Sequence, residues 1–277
     1  MLSRQQELAI IEQVRDVAKQ EILPRFRCLP SEEISIKSSF DDLVTIADLA
    51  TEKELTKRFQ ALLPYANVLG EEAVSDNPSL LDSLSSSGLS IIIDPIDGTW
   101  NFANGLATFG VLIAAVFEGK TVFALLYDPV LDDWIEASLG KGCWYGKPNQ
   151  APRQITLSDK EKEPRLVGVM SPFLFQKTYQ EPVALLQVSY ARTNSLRCCC
   201  HEYRSLVQGS YDFFVSPKPK VWDHAAGILA YQEAGGFVKM LTGEDYQASV
   251  RTGTIIAART ESILARITND FKAILIG

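Results

Sequence analysis

Acidic residues stand where predicted elements end: Glu71 and Glu72 after the run NVLG (67–70), Asp94 and Asp97 at the end of LSIII (89–93), and Asp223 after KVW (220–222). Carboxylates delivered by a buried apolar run are costly unless something positive meets them. Oxygen-rich clusters without His or Cys suit hard cations, Mg²⁺ above all, which keeps several waters and takes a few carboxylates beside a substrate phosphate. Such an ion lets neighbouring carboxylates stay ionised where like-charge repulsion would otherwise raise one pKa. Within DPIDGT (94–99), Pro95 fixes φ and turns the chain, so Asp94 and Asp97 can converge and the Ile96 carbonyl can become a further oxygen ligand. Gly98 and Thr99 follow at a predicted helix start, where backbone N–H groups bind an anion and the Thr99 hydroxyl can orient a water. Taken alone, this turn also reads as an ordinary Asx-type loop.

The elements that must position these groups follow from periodicity. Ser3 and Gln6 form a capping box, and Ile10, Ile11, Val14, Val17 and Ala18 repeat at helical spacing up to Pro24. A second helix is predicted from Ala47 or Asp48 to just before Pro64, with Leu55, Phe59, Leu62 and Leu63 inward. NVLG and LSIIID read as short buried strands, and residues 110–137 as an antiparallel meander broken by EGK and DPVLDD turns. The charged stretch LSDKEKEPR (157–165) reads as a surface crossing between two halves. Beyond it the pattern predicts a strand at RLVGVM, helices from Pro172 and from His201 to Gln208, and a strand at YDFFV. A helix from Asp223 to Glu233, a turn at Gly235–Gly236, further strands and a last helix from Glu261 complete the chain. Helices and strands alternate throughout, so a layered mixture of both is expected. It would form a single catalytic unit over residues 1–277, divisible near residue 155 into a metal and phosphate-turn half and a substrate half.

Composition narrows the partners. The 27 basic and 34 acidic residues leave a net charge of −7, which disfavours a nucleic-acid surface or an anionic membrane. The longest apolar run, FGVLIAAVF (109–117), is well short of the roughly 20 residues that span a bilayer. Five Cys, with Cys198, Cys199 and Cys200 contiguous and no C-x-x-C pair, read as reduced thiols. The opening MLSRQQELAI has no apolar signal-peptide core, so a cytoplasmic protein is expected.

Four stretches, DLVTIAD (42–48), LGEE (69–72), DPIDGTWNFANG (94–105) and VWDHAAGILAYQEAGG (221–236), together resemble the inositol monophosphatase-like family of Mg²⁺-dependent, lithium-sensitive phosphatases. The resemblance implies an α+β fold, a five-layer αβαβα sandwich of the inositol monophosphatase and fructose-bisphosphatase type. It also implies hydrolysis of a small phosphorylated alcohol or sugar, two or three Mg²⁺ ions and a homodimer. Position by position, it implies that Glu71, Asp94, the Ile96 carbonyl, Asp97 and Asp223 hold the metal and that Gly98 and Thr99 bind the phosphate, with Asp223 also at the substrate. Asp48 then hydrogen-bonds Thr99 and, with Glu71, helps position the attacking water, and Lys37 is the family's basic residue upstream. The implied attack is in line, with no covalent enzyme intermediate.

The substrate half departs from the family. Trp100 sits where inositol-specific members have a second Thr, and Ser216 replaces the Glu that binds a sugar hydroxyl seven residues before the metal Asp. The family's small-residue G-S/T-A segment is replaced within Arg197–His201. Members acting on histidinol phosphate share the Arg and the equivalent of Pro217, but the acidic residue that holds an amine is missing, with Cys199 and Ser216 in its positions. Inositol 1-phosphate remains the default substrate. The pair Lys218 and Lys220 would suit a bisphosphate or carboxylate, or form a solvated loop. The Cys run reads as small side chains packed on a helix start, the alternative being a reactive thiol or an adventitious metal site. His201 and His224 are too far apart for a shared zinc motif, and His224, next to a metal ligand, reads as a supporting group. A non-catalytic family member that binds a macromolecule is the reading from another class.

Overall fold

Alternate residues of the central strands divide between two apolar cores, which fixes the layering before any helix is considered. The computed structural model describes residues 2–37, 43–85, 88–158 and 166–276. In chain order its first half holds α1 (Arg4–Val17), β1 (Ile34–Ile36), β2 (Leu43–Thr45), α2 (Ile46–Leu62), β3 (Asn67–Gly70), α3 (Glu71–Asp76), β4 (Leu89–Asp97), α4 (Thr99–Ala103), β5 (Gly110–Phe117), β6 (Lys120–Asp128), β7 (Asp133–Ser138), β8 (Cys143–Gly146) and β9 (Arg153–Ile155). The second half holds β10 (Val167–Val169), α5 (Lys177–Gln187), β11 (Arg192–Asn194), α6 (Cys199–Val207), β12 (Phe213–Ser216), α7 (Val221–Glu233), β13 (Phe237–Met240), β14 (Ile255–Ala258) and α8 (Glu261–Leu275).

Strands β3 to β9 form one sheet in sequence order, parallel at β3–β4 and antiparallel beyond, so the expected meander is present. The second sheet runs β11-β10-β12-β14-β13. On the first sheet, Ile91, Ile93, Val111, Ile113 and Ala115 pack with Ile10, Val14, Leu55 and Phe59 of α1 and α2. The intervening Ile92, Leu112, Ala114 and Val116 turn the other way, onto Tyr203 and Leu206 of α6 and Ala225 and Leu229 of α7. Phe214, Ile255 and Ala257 of the second sheet close that middle core from the far side. Their neighbours Phe213, Val215, Ile256 and Ala258 face outward onto Val183 of α5 and Ile263, Ile267 and Phe271 of α8. The order is helices, sheet, helices, sheet, helices, the αβαβα sandwich expected from the sequence.

Three boundaries differ from expectation. The helix placed at Pro172 is a short 3₁₀ turn, Pro172–Leu174, because Phe175 and Gln176 are extended (ψ 160° and 149°) before α5 begins. Helix α6 starts at Cys199, before the expected His201, because a carboxylate from β4 accepts from its N-terminal backbone. Helix α7 starts at Val221, ahead of Asp223. The predicted crossing at 157–165 lies outside the described residues from position 159 onward, as does Asp42. Among the described residues no helix is long and apolar enough to cross a membrane.

Candidate active site

In an unbroken strand, residues three apart point to opposite faces, so Asp94 and Asp97 would be separated by the sheet. Strand β4 avoids this with a bulge: Asp94 is opposite Leu112 and Asp97 opposite Gly110, leaving one extra residue on β4 around Pro95 and Ile96. The bulge sends the Ile96 side chain into the α1–α2 core and returns Asp97 to the side of Asp94, facing α6 and α7. Pro95 carries no N–H to lose at this irregularity. Gly98 follows with φ +88°, where a Cβ would also meet the Thr108 carbonyl at 3.0 Å and the Arg197 carbonyl at 3.3 Å. A glycine is what this close approach admits.

Asp97 is buried and joins the two halves of the site. It accepts from the Cys200 backbone N–H and from the Cys198 thiol at 3.2 Å, at the N-terminal end of α6. The Cys run, expected to be inert filler, therefore ties α6 to a proposed ligand. Cys200 turns its sulfur to the Tyr127 carbonyl at 3.7 Å, and burial pushes all three thiols well up. On α7, His224 next to Asp223 bonds the Lys218 carbonyl at 2.9 Å and the Tyr203 hydroxyl at 3.0 Å, the supporting role expected of it. His201 bonds the Phe109 carbonyl at 3.0 Å.

The other wall comes from α2. Thr45 and Asp48 make a capping box in which Asp48 accepts from the Thr45 N–H at 2.8 Å. The free side of the Asp48 carboxylate, Oδ1, lies 3.1 Å from the Thr99 hydroxyl, and the Ile96 carbonyl lies 3.0 Å from it, so one hydroxyl hydrogen has two acceptors. One turn along α2, Glu52 accepts from the backbone N–H groups of Glu72 at 2.8 Å and Ala73 at 2.9 Å. This buried carboxylate anchors the first turn of α3, the turn that presents Glu71. Sequence reasoning missed Glu52, although its i+4 spacing from Asp48 put both on one helix face. It also missed Asn101, whose amide donates to the Thr108 carbonyl at 2.7 Å and the Leu196 carbonyl at 2.8 Å, clamping the α6 approach against the Gly98 turn.

Charge in this cleft is one-sided. Asp94 is 1 % exposed, and its Oδ1 has no hydrogen-bond partner among the described residues. Burial, then Glu71, Asp97, Asp223 and Asp48, push its carboxyl well above the usual range. Burial and then Asp223 push Asp97 up to about 7, burial pushes Asp48 to about 6, and burial with Glu71 pushes Glu72 to about 8. Lys37 lies 3.2 Å from Glu71 and 2.7 Å from Glu72, and Lys220 is 4.0 Å from Glu71. Desolvation opposes the charge on Lys37, but Glu71 and Glu72 outweigh it and raise its pKa. At Glu72, burial and then Glu71 outweigh this ammonium and keep the carboxyl raised. An unpartnered buried carboxylate oxygen among crowded carboxylates fits a divalent cation.

The residues singled out as departures make three separate sets of contacts. The Arg197 guanidinium stacks 4.1 Å from the Trp100 ring, and Arg197 holds φ +53°, a conformation natural to glycine. Ser216 is buried at the end of β12 and accepts from the Lys218 N–H at 3.4 Å. Lys220 is the N-cap of α7 and lies 5.4 Å from the Trp222 ring.

Residues 3–275 match the model of the inositol monophosphatase family. A Bacillus subtilis inositol-1-monophosphatase is 30 % identical over 77 % of this chain and 78 % of its own length. A Neisseria meningitidis protein named a putative Nus factor SuhB is 30 % identical over 85 % of this chain and 86 % of its own. Among solved structures, a Thermotoga maritima IMPase superposes with a TM-score of 0.77 at 23 % identity, covering 95 % of this chain and 97 % of that one. With the five layers and this cleft, the match over nearly the whole length means that the chain belongs to the inositol monophosphatase family.

Proposed function

We propose that the chain is a cytoplasmic, Mg²⁺-dependent, lithium-sensitive phosphomonoesterase of small phosphorylated alcohols or sugars, working as a homodimer of single catalytic units, with inositol 1-phosphate the default substrate. The observation that carries this reading is the buried, unpartnered Asp94 oxygen among Glu71, Asp97 and Asp223. These four residues and the Ile96 carbonyl would hold two or three Mg²⁺ ions. When bound, Mg²⁺ supplies Lewis acidity for the attacking water and offsets charge on the phosphoryl and leaving oxygens.

The chain's own groups supply position. Backbone N–H groups at Gly98 and Thr99 receive phosphate oxygens. Thr99 gives its hydroxyl hydrogen to Asp48 or to the Ile96 carbonyl, which leaves its oxygen lone pairs to accept from the attacking water. Asp48, at about 6, is largely ionised at neutral pH and can accept that hydrogen. Water oxygen bonds to phosphorus in line as the ester P–O bond breaks; one hydrogen of that water stays on the phosphate and the other passes to solvent, while the leaving alkoxide oxygen takes one proton from solvent. Lys37 restrains Glu71, and Glu52 holds the turn that carries it.

The test is phosphate release, with and without Mg²⁺, from inositol 1-phosphate, histidinol phosphate, fructose 1,6-bisphosphate, adenosine 3′,5′-bisphosphate and glycerol 2-phosphate. One strong, Mg²⁺-dependent, lithium-inhibited substrate supports the reading. Preference for a bisphosphate would assign Lys218 and Lys220 to a second anion, and equal rates on mono- and bisphosphates would remove that role. Relatives named Nus factor SuhB motivate the reading as a regulatory binding protein. Silence across the whole panel would favour that reading over the enzymatic one.

A further inference from the structure

Thiol and imidazole groups are foreign to a Mg²⁺ centre, yet Cys199 and His224 stand beside Asp223. The Cys199 sulfur, an Asp223 carboxylate oxygen and a His224 ring nitrogen all lie within 4.8 Å of one another. We infer that Cys199, Asp223 and His224 form a binding site for a borderline-soft divalent cation, Zn²⁺ above all, which shares Asp223 with the proposed Mg²⁺ centre.

The neighbouring thiols are directed elsewhere: Cys198 to Asp97 and Cys200 to the Tyr127 carbonyl. Cys199, the first residue of α6, is the one whose sulfur meets α7 at Asp223 and His224. The hydrogen bonds of the imidazole leave one ring nitrogen with a lone pair that can coordinate. A carbonyl can only accept, so the 2.9 Å contact with Lys218 makes Nε2 the N–H donor and leaves the lone pair on Nδ1. Zinc-binding imidazoles are commonly held in this way, by a carbonyl on the nitrogen away from the ion. Nδ1 now accepts from the Tyr203 hydroxyl at 3.0 Å, and coordination exchanges that hydroxyl for the ion. Bonds of about 2.0–2.3 Å to a tetrahedral Zn²⁺ set its ligands about 3.3–3.8 Å apart, so small side-chain rotations close the set. Three protein ligands leave a fourth position for water or a substrate oxygen.

The ligand types sort the metals. Mg²⁺ takes oxygen and ignores sulfur and imidazole nitrogen, whereas Zn²⁺ accepts all three and binds a mixed site more tightly. Zn²⁺ held here withdraws Asp223 from the carboxylate set and so inhibits. On binding, the Cys199 S–H bond breaks, sulfur keeps the electron pair for the metal and the proton passes to buffer. This site does not depend on phosphatase activity, because its test reads metal binding directly.

The experiment uses Co²⁺ as a spectroscopic stand-in for Zn²⁺ in full-length protein carrying Cys28→Ser, which removes the exposed thiol. A near-ultraviolet thiolate-to-Co²⁺ charge-transfer band is expected, and adding Cys199→Ser should abolish it while the far-ultraviolet circular dichroism is kept. Zn²⁺ calorimetry in two buffers of different ionisation enthalpy should give release of about one proton per ion. Cys199→Ala, the apolar control should the serine disturb folding, should weaken Zn²⁺ binding at least roughly tenfold, about 1.4 kcal/mol. No charge-transfer band in the Cys28→Ser protein, or a band that persists without Cys199, overturns the site.

Discussion

Replacing Gly70 by Ala should damage the site through Glu52, a residue that contacts no substrate. A Cβ at position 70 would sit 2.0 Å from the Glu52 carboxyl carbon and 2.2 and 2.4 Å from its oxygens, well inside van der Waals contact. The carboxylate must therefore leave the two backbone N–H groups it accepts from at the start of α3. Hydrogen bonds to a charged group contribute about 1.5–3 kcal/mol each, so losing both costs about 3–6 kcal/mol if neither amide finds another partner. Ala73 is exposed and its amide can turn to water, which puts the expectation at the lower end, about 3 kcal/mol. In a chain of 277 residues that is a fall in Tm of about 5 °C. Because Glu71 begins the same turn, Mg²⁺ affinity should fall with it. The assay is a double-mutant cycle of Gly70→Ala and Glu52→Ala, read by thermal unfolding and by Mg²⁺ calorimetry. The single variants should resemble each other, and the double variant should be little worse than either. Strict additivity, or an unchanged Tm in Gly70→Ala, would refute the steric route through Glu52.

Two further outcomes follow from the charges. In metal-free protein Asp48, Asp97 and Glu72 have folded-state values near 6, 7 and 8, above their ordinary values of 3.8, 3.8 and 4.5. A carboxyl raised on folding is a stabilising group when protonated, so its contribution is full below about pH 4 and is lost as pH rises through the folded value. Chelated protein should therefore lose Tm between about pH 4 and 8, and saturating Mg²⁺ should flatten that limb; a Tm rising over this window with chelator present would contradict the crowding of the cluster. Asp48→Asn should lower kcat about 10²- to 10³-fold with Mg²⁺ affinity held, because an Asn amide has one acceptor oxygen and cannot accept from both Thr45 and Thr99 as the two carboxylate oxygens of Asp48 do. Calorimetry beside steady-state kinetics checks this, and a matching loss of Mg²⁺ binding would make Asp48 a metal-site residue instead.

The sequence was most informative where chemistry and local pattern coincide. Glu71, Asp94, Asp97 and Asp223 each sit at or next to the end of a hydrophobic element, and the alternation of Ile91, Ile92 and Ile93 already implied a sheet packed on both faces. The convergence of Asp94 and Asp97 was expected from Pro95, but its cause is an inserted residue in the register with β5, a property of pairing that β4 alone does not encode. The role of the Cys run was illegible for a similar reason. Asp97 reaches Cys198 and Cys200 across about a hundred residues of chain, so composition alone made them filler. Glu52 was legible and overlooked: one turn from Asp48, it was bound to face the same cleft. The contact between Trp100 and Arg197, both departures from the family pattern, needed the loop clamped by Asn101 to bring them together.

The most direct test of the account is phosphate release as a function of Mg²⁺ concentration by wild-type protein and by Asp94→Asn, using the preferred substrate of the panel. Wild type should show saturable, Mg²⁺-dependent turnover. The variant should stay folded, with no turnover at any Mg²⁺ concentration. Turnover by the variant at the wild-type rate in saturating Mg²⁺ would contradict the assignment of the buried Asp94 cluster as the metal centre.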